Sequence, residues 1–177
     1  MPVMKAERSA LLLIDFQAKL MPVIDAAEDA IANAVKLTKA AALFDVPRLF
    51  TVQNPAGLGG VVPDFGATEA ETVAKMTFGC CGAPAFDAAL PDRPDLVVAG
   101  CETHVCVLQT VLGLLKAGRR VFVVADAGSS RTPASKAAGL ARMERHGAEI
   151  VTAEMVIFEW LHTADHPKRR EALALLK

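Results

Sequence analysis

The fold is decided by the sequence DLVVAGCETHVCVLQTVLGLLKAGRRVFVVAD, which spans residues 95–126. Its two apolar runs, at residues 95–101 and 120–126, have the length and composition of strands that are buried on both faces of a sheet. The segment between them predicts a helix over residues 103–117, which ends before Gly118. A strand, a helix and a strand in this order predict a parallel crossover unit.

The same alternation continues in both directions from this unit. Apolar runs predict further strands at residues 10–16 (ALLLIDF), 48–53 (RLFTVQ) and 149–153, and a weaker pattern predicts one at residues 71–76. The whole pattern predicts a single α/β domain over residues 1–177, with three α/β/α layers around a six-stranded, mostly parallel, Rossmann-like sheet with helices on both faces. The remaining predicted helices lie at residues 25–44, 83–90, 132–146, 155–164 and 167–176, and prolines and glycines predict a loop at residues 55–66.

The composition excludes several classes of protein. The chain has 177 residues and a net charge of −1, with 53% hydrophobic and 22% charged residues, which excludes a disordered chain. There is no long cluster of Lys and Arg that would indicate a nucleic-acid partner or an anionic membrane surface. The mean hydropathy is +0.34, yet no apolar run approaches the ~20 residues that a membrane-spanning helix needs.

The N-terminal residues and the cysteines indicate the compartment. Lys5 and Arg8 precede a short apolar run that ends at Asp15, which does not match a signal peptide. The four cysteines, at positions 80, 81, 101 and 106, do not form a secreted disulfide framework in a chain of this length. We therefore expect a cytoplasmic protein with reduced thiols.

Candidate functional residues follow the predicted strands. In an open parallel sheet, ligands bind beyond the carboxyl ends of the strands, where the strand order reverses. An acid, an amine and a thiol could converge at that edge of this sheet. The residues at these strand ends are Asp15, Gln53, Asn54, Lys75, the turn at residues 100–106, and Asp126.

Asp15 and Lys75 each allow two interpretations. A carboxylate that follows a buried strand loses hydration, which makes it a better general base, but an aspartate there can equally cap the following turn. A lysine at a strand end can hold a substrate or favour a neighbouring thiolate through its charge. A solvated lysine on an edge strand can instead protect that edge from pairing. The residues alone leave these alternatives open.

Cys106 lies where a buried strand turns into a helix. In the first turn of that helix, a thiol faces the positive end of the helix dipole and unpaired backbone N–H groups, so we expect its pKa to be lowered. The same N–H groups could bind the oxyanion that forms when a thiolate attacks a carbonyl. The alternative is a buried cysteine that acts as a small apolar side chain.

The other cysteines and two of the histidines carry weaker signals. Cys101 ends an apolar run and is expected in the core, while Cys80 and Cys81 are expected to be two loop thiols rather than a vicinal disulfide. His162 and His166 have the spacing of helical metal ligands, but no cysteine or further histidine lies near them. We expect no metal site and no cofactor.

The candidate residues belong to motifs that resemble a known family. The motifs are LLLIDFQAKLMP at residues 11–22, VAKMTFGC at residues 73–80 and VVAGCETHVCVLQTVLGLLKAGRRVFVVADAGSSR at residues 97–131. They resemble the isochorismatase-like cysteine hydrolases over nearly the whole chain. The sequences GCETHVCVLQT, DAGSSR and FEWLHTADHPKRREALALLK are similar to one branch, the isochorismatase domain-containing proteins.

The resemblance implies an isochorismatase-like fold and a catalytic triad of Asp15, Lys75 and Cys106. It also implies a cis peptide bond between Cys101 and Glu102, and an oxyanion hole formed by the backbone N–H groups of Glu102 and Cys106. In this scheme Asp15 takes the thiol proton, Lys75 stabilises the thiolate, and the thiolate attacks an amide-type carbonyl. Further candidates, for contact with the substrate, are Phe16, Gln53 and Asn54.

Departures from the family pattern bear on the substrate. Nicotinamidases of this family hold a metal through an Asp-x-His pair and further histidines after the second strand, whereas residues 51–60 read TVQNPAGLGG here. Neither that metal site nor nicotinamidase activity is therefore expected. Isochorismatases cleave a vinyl ether and need no cysteine nucleophile, so Cys106 favours amide chemistry.

Two functional classes remain open. The first is a cysteine hydrolase that cleaves a C–N bond of a small amide, imide or carbamoyl compound through a thioester. The second is a binding or scaffold protein that keeps the fold without turnover. The intact set of Asp15, Lys75 and Cys106 favours the first class. A thiol-redox protein is a weaker third interpretation, because the chain has no Cys-x-x-Cys motif.

We expect a small-molecule substrate and, from the resemblance, a homo-oligomer. The apolar stretch at residues 156–161, which contains Trp160, could form an interface together with the C-terminal helix. Ordinary core packing explains the same stretch equally well.

Overall fold

The computed structural model describes residues 3–177. Its strands are β1 (Ser9–Ile14), β2 (Arg48–Gln53), β3 (Thr72–Lys75), β4 (Asp95–Cys101), β5 (Arg120–Ser129) and β6 (Glu149–Val151). The α-helices of the same residues are α1 (Ala27–Leu43), α2 (Pro55–Leu58), α3 (Pro84–Ala89), α4 (Leu108–Lys116), α5 (Pro133–Arg145), α6 (Ala153–Leu161) and α7 (Arg169–Ala174). The strands form one six-stranded sheet in the order β3-β2-β1-β4-β5-β6, and each neighbouring pair is parallel. The predicted α/β fold is confirmed.

Alternating side chains of the central strand β1 build the two halves of the core. Leu11 and Leu13 pack in a cluster with residues of α1, α6 and α7. Leu12 and Ile14 point to the other face, where they pack with residues of α3, α4 and α5. All six residues of β1 are buried, because successive side chains of a strand face opposite sides and both sides are covered. Helices on both faces make the three-layer architecture.

The strand β5 is longer than the apolar pattern predicted. It runs to Ser129, and its pairing with β4 shifts register between Val98 and Gly100. Asp126 therefore lies inside the strand, and the prediction that it stands at a strand end is wrong. Its Oδ1 accepts a hydrogen bond of 2.8 Å from the backbone N–H of Ala153, the first residue of α6. Asp126 thus joins a strand to a helix.

The apolar stretch at residues 156–161 is mostly core. Trp160 is buried, and its Nε1 donates a hydrogen bond of 3.0 Å to the Ser9 hydroxyl. Phe158 and its neighbour one turn earlier, Met155, are the side chains of α6 that remain about half exposed, at 46% and 45%. Core packing accounts for most of the stretch.

The predicted loop at residues 55–66 contains short helical turns. Pro55 begins α2, where a proline fits because the first N–H of a helix has no intrahelical partner. Gly59 ends α2 with a φ of 79°, and a second turn, Pro63–Phe65, is 3-10 helical. These turns place Leu58 beside the carboxyl ends of the strands.

The chain leaves the central pair β1 and β4 in opposite directions, which creates a crevice at their carboxyl ends. The two strands come unusually close there, because a Cβ atom on Gly100 would lie 2.3 Å from the carbonyl oxygen of Ile14. Only glycine fits this position, which also has a φ of 152°. Among residues 3–177, no helix combines the length and the apolar character needed to cross a membrane.

Candidate active site

An aspartate and a lysine form a buried ion pair at this crevice. Asp15 directly follows β1 and adopts a left-handed φ of 53°, and Lys75 is the last residue of β3. The Lys75 Nζ donates to Asp15 Oδ2 at 2.7 Å, and the Thr51 hydroxyl of β2 donates to Oδ1 at 2.6 Å. Both charged side chains are 0% exposed. Each carboxylate oxygen is therefore held by a donor from a different strand.

The Lys75 ammonium group donates all of its hydrogen bonds within the protein. Besides Asp15, it donates to the carbonyl oxygens of Thr77 at 3.1 Å and Phe78 at 2.9 Å. An ammonium group has three N–H donors, so none remains for a substrate. Lys75 can act here as a fixed positive charge beside the carboxylate, and not as a free amine nucleophile.

Cys106 lies in a turn that precedes α4. Residues Thr103–Val107 form a π-helical turn, in which the Val107 N–H donates to the carbonyl oxygen of Glu102 at 3.3 Å. The Cys106 side chain lines the same cavity as the Asp15 carboxylate. The Thr110 hydroxyl donates to the Cys106 carbonyl oxygen at 2.7 Å and fixes the following turn. The structure therefore brings Asp15, Lys75 and Cys106 together, as the strand-end rule predicted.

The resting form of Cys106 differs from the expectation. Burial and, to a smaller extent, the negative charge of Asp15 raise the pKa of the Cys106 thiol to about 12, while the Lys75 charge opposes this rise. The prediction of a lowered thiol pKa is wrong, because loss of hydration and a neighbouring carboxylate outweigh the helix terminus. Cys106 is thus a neutral thiol near a carboxylate in the folded protein.

A small cavity opens above these groups. Its volume is about 160 Å³, and Asp15 and Cys106 line it. Gln53 also lines it, and its Nε2 donates to the carbonyl oxygen of Met76 at 3.0 Å. The other lining residues are Leu20, Leu58, Phe78, Glu102, Val105 and Arg131.

Two of the residues predicted to contact substrate lie elsewhere. Phe16 is 1% exposed, and its ring packs against the Phe65 ring at a centroid distance of 4.9 Å. Asn54 precedes α2 in a left-handed conformation, and its side-chain amide lies against Gly57. Neither residue belongs to the cavity lining. Phe16 packs in the core, and Asn54 shapes the turn into α2.

Arg131 and Glu102 form a second ion pair at the cavity, and the sequence analysis did not assign this pair. Arg131 Nη2 donates to Glu102 Oε1 at 2.7 Å, and Nε donates to Oε2 at 3.0 Å. The backbone N–H of Arg131 also donates to Oε2, at 2.9 Å. These hydrogen bonds hold the pKa of the Glu102 carboxyl below its usual range. A strand prediction that ran to Ser129 would have placed Arg131 at a strand end.

The peptide bond between Cys101 and Glu102 is cis. It lies between the end of β4 and the π-helical turn, next to the closest approach of β1 and β4. Glu102 therefore lines the cavity immediately before the turn that carries Cys106, and its side chain pairs with Arg131.

Comparison with known proteins identifies the family of this fold and site. The family model described as Isochorismatase domain matches residues 9–155. The chain belongs to the isochorismatase domain family. It is 38% identical, over 174 residues, to isochorismatase domain-containing protein 2A of Mus musculus, covering 97% of this chain and 84% of that protein.

Solved structures of the isochorismatase fold agree with this assignment. The structure of a MAR1 ribonuclease from Caenorhabditis elegans has a TM-score of 0.93 at 33% identity, over 99% of this chain and 92% of that one. The YcaC protein of Escherichia coli, described as an octameric hydrolase of unknown specificity, gives 0.88 at 26% identity, over 99% and 88%. YcaC of Pseudomonas aeruginosa, solved with hexane-2,5-diol and covalent acrylamide, gives 0.85 at 25% identity, over 98% and 95%.

The other cysteines and a histidine of this isochorismatase domain were weaker candidates in the sequence. Burial raises the pKa of Cys80 to about 11 and that of Cys101 to about 12, and both thiols are free. Cys81 is exposed and also free. His166 packs edge-on against Phe44 at 5.5 Å. Within residues 3–177, no three His, Cys, Asp or Glu side chains are grouped to hold a metal ion.

Proposed function

We propose that this protein is a cysteine hydrolase that cleaves a C–N bond of a small amide, imide or carbamoyl compound through a thioester on Cys106. The observation that carries the proposal is that Cys106 and Asp15 line the same cavity, where Lys75 and Thr51 hold the Asp15 carboxylate through hydrogen bonds of 2.7 and 2.6 Å. A nucleophile, a base and a group that orients the base form the arrangement that covalent catalysis needs.

The proposed reaction begins with proton transfer. Asp15 takes the Cys106 proton as the sulfur forms a bond to the substrate carbonyl carbon. The backbone N–H groups of Glu102 and Cys106 stabilise the oxyanion of the tetrahedral intermediate. Asp15 then gives the proton to the leaving nitrogen, and the C–N bond breaks to leave a thioester. Water, activated by the same carboxylate, hydrolyses the thioester and restores the thiol.

The raised pKa of Cys106 fits this order of events. A neutral thiol avoids placing two negative charges side by side in a buried site. Lys75 keeps its charge next to Asp15 throughout. Once Asp15 has taken the proton, this positive charge stabilises the developing thiolate electrostatically. The nucleophile is therefore formed during the attack and not before it.

The relatives support a hydrolytic reaction on a small compound. YcaC of E. coli is described as a hydrolase. Ribonuclease chemistry, named for the C. elegans structure, fits this site less well. A cavity of about 160 Å³ is smaller than a nucleotide needs, and Arg131, the one cation in its described lining, is already paired with Glu102.

Trapping of the thioester tests the proposed function. Ammonia release from a panel of primary amides should be abolished, by at least about 1000-fold, in Cys106→Ala and Asp15→Asn. The exposed Cys81 supplies the matched control, since Cys81→Ala should retain full activity. Rapid quenching followed by mass spectrometry should find the acyl group on Cys106. Turnover in Cys106→Ala would overturn the mechanism, and the absence of any acyl-enzyme and any turnover would favour a binding or scaffold protein.

We also propose that the chain forms a homo-oligomer, because its E. coli relative is octameric. The half-exposed side chains Met155 and Phe158 on α6 could contribute to the contact. Sedimentation at several concentrations tests this proposal. A species with the mass of one chain at every concentration would overturn it.

A further inference from the structure

The charges that line the cavity cancel within pairs. Lys75 neutralises Asp15 at 2.7 Å, and both side chains are fully buried. Arg131 neutralises Glu102 at 2.7 Å, where the Glu102 side chain is 7% exposed. Each carboxylate accepts several hydrogen bonds, so the charge of each pair is balanced within the protein, although the Arg131 side chain is 63% exposed. The cavity offers no uncompensated charge among its described lining residues.

The walls of the cavity are apolar. Leu20, Leu58, Phe78 and Val105 supply hydrocarbon surface around Cys106. A charged group placed against such walls would lose hydration without gaining a counter-ion, which is unfavourable. Hydrocarbon placed there gains from leaving water. The walls therefore select against ions and for aliphatic groups.

Gln53 offers a hydrogen-bond acceptor for recognition of an uncharged amide. Gln53 uses its Nε2 to bind the Met76 carbonyl oxygen, so its Oε1 is the atom that can accept from a substrate N–H. An amide nitrogen offers such a donor, whereas a carboxylate offers none. Gln53 lines the same cavity as the nucleophile.

The volume limits the part of the substrate that the cavity encloses. A cavity of ~150 Å³ with apolar walls holds benzene. At about 160 Å³, this cavity encloses a comparable number of non-hydrogen atoms, about six to eight. The half-exposed Phe78, at 54%, lies at the rim, so a longer chain would extend past it into water.

We propose that the substrate is a small, uncharged aliphatic amide of about six to eight non-hydrogen atoms. This inference rests on the proposed function. In the overall reaction, the amide and one water give a short carboxylate and ammonium: the acyl carbon exchanges its nitrogen for a water oxygen, and no redox partner is needed. The charged product is disfavoured by the same apolar walls, which promotes its release.

Two amides of the same shape test the selection against charge. Succinamate and 4-methylpentanamide share a primary amide and a two-carbon spacer, and they differ in carrying a carboxylate or an isopropyl group. We expect kcat/KM to be at least about 100-fold higher for 4-methylpentanamide, because only succinamate brings an unpaired charge to the apolar walls. An equal or higher value for succinamate would overturn the inference while leaving the amidohydrolase function intact.

A variant of the second ion pair sharpens this test. Glu102→Gln keeps the size of the side chain but leaves the Arg131 charge uncompensated. We expect the preference for the neutral amide over succinamate to fall at least about tenfold, because the free guanidinium now pairs with the substrate carboxylate. The ratio of the two substrates is compared within one variant, so a general loss of activity does not affect it. An unchanged ratio would show that the Arg131 charge has no effect on a substrate in the cavity, which would overturn the inference.

The size limit has its own test. Straight-chain amides from acetamide to octanamide should show kcat/KM rising to about five or six carbons and then levelling, because further carbons lie outside the cavity. Leu58→Ala should move this plateau to longer chains. Leu173→Ala, a partly buried leucine of α7 outside the cavity lining, is the matched control and should leave the plateau in place. A steady rise through octanamide would overturn the limit.

Alkylation of Cys106 separates the charge selection from turnover. Iodoacetamide is a neutral amide and iodoacetate is its anionic counterpart of similar size. The measured quantity is the ratio of the alkylation rate with iodoacetamide to the rate with iodoacetate. This ratio should be at least about tenfold higher for Cys106 than for N-acetylcysteinamide. If this preference holds and no amide is hydrolysed, the proposed function fails and the charge selection survives. If Cys106 shows no such preference, the charge selection fails whether or not amides are hydrolysed.

Discussion

The two edges of the sheet each carry a buried acid–base pair, and the pairs are built differently. At the carboxyl edge, Asp15 and Lys75 meet at 2.7 Å with both side chains 0% exposed. At the amino edge, Asp95 and Arg120 begin β4 and β5 and lie directly opposite each other. Their side chains approach at 3.2 Å and are 2% and 18% exposed.

The difference lies in how completely each pair is hydrogen-bonded. Both oxygens of Asp15 have close donors, and Lys75 has three acceptors. In contrast, Arg120 Nη2 donates to Asp95 Oδ2 at the longer distance of 3.3 Å, and Asp95 Oδ1 and Arg120 Nε are buried without a well-aligned hydrogen bond. The Arg120 guanidinium also lies 4.7 Å from the centre of the Phe122 ring. A charge can be held in one orientation only where its hydrogen bonds are satisfied. The carboxyl edge therefore holds its charges in fixed orientations, as the proposed proton transfer requires, and the amino edge joins two strands.

Removal of the lysine should produce the largest effect. Lys75→Met leaves Asp15 as an unpaired buried carboxylate, so we expect the free energy of unfolding to fall by about 3–5 kcal/mol, with complete loss of hydrolysis. Urea unfolding at pH 7 measures the change. The double variant Asp15→Asn/Lys75→Met should recover much of the stability, because no unpaired carboxylate remains.

The matched change at the amino edge is Arg120→Met. It should cost less, about 1–3 kcal/mol, because Arg120 is partly exposed and Asp95 keeps Arg8 at 3.8 Å. Hydrolysis should be unaffected in kcat/KM. Equal losses in Arg120→Met and Lys75→Met would show that the hydrogen-bond difference between the two edges has no energetic consequence.

Loss of one hydrogen bond to Asp15 should have the next largest effect. Thr51→Val keeps the shape of the side chain but removes the donor at 2.6 Å from Asp15 Oδ1. We expect a loss of about 1–3 kcal/mol, since a buried carboxylate oxygen is left without a partner. Thr38→Val is the matched control: its hydroxyl donates to the neutral Val35 carbonyl oxygen within α1, and its removal should cost less. A greater cost in Thr38→Val would contradict this view of the Asp15 site.

Continuous apolar runs in the sequence predicted the bounds of two strands correctly. They did not predict the end of a strand that contains a glycine. The bounds of β2 and β4 were predicted as observed, because every face of these strands is buried. The end of β5 was missed, because Gly128 there lies so close to β4 that a Cβ atom would be 2.9 Å from the Gly100 carbonyl oxygen. Close backbone packing leaves no apolar signal in the sequence. The same omission hid Arg131, which follows the unpredicted end.

For the candidate site, topology was predictable and electrostatics were not. Strand ends converge in any such sheet, so Asp15, Lys75 and Cys106 could be grouped from their positions alone. The pKa of Cys106 depends on its burial and its distance from Asp15, and neither is written in the sequence. Thr51 was read only as part of an apolar strand, because a buried hydroxyl has the same spacing as a buried methyl group.

Alkaline pH should lower the free energy of unfolding through the Cys106 thiol. The pKa of Cys106 is about 12 in the folded protein against 9.0 for a free thiol, so above pH 9 the unfolded chain loses this proton while the folded chain keeps it. The stabilisation is complete below pH 9 and is lost as pH rises towards 12. Between pH 7 and pH 10, Cys106→Ala should lose about 1 kcal/mol less stability than the wild type. Identical losses in urea unfolding would mean that the thiol is hydrated and not buried.

The smallest effect is expected at Arg8, whose side chain is 56% exposed and 3.8 Å from Asp95. Arg8→Ala should change the free energy of unfolding by about 0.5 kcal/mol or less, and added salt should remove the difference, because exposed ion pairs are screened. Urea unfolding at low and high salt measures both. A salt-resistant loss as large as that of Arg120→Met would mean that Asp95 depends on Arg8 as Asp15 depends on Lys75. In that case Asp95 would depend on both of its arginine partners for stability. Completeness of hydrogen bonding would then no longer distinguish the carboxyl edge of the sheet from the amino edge.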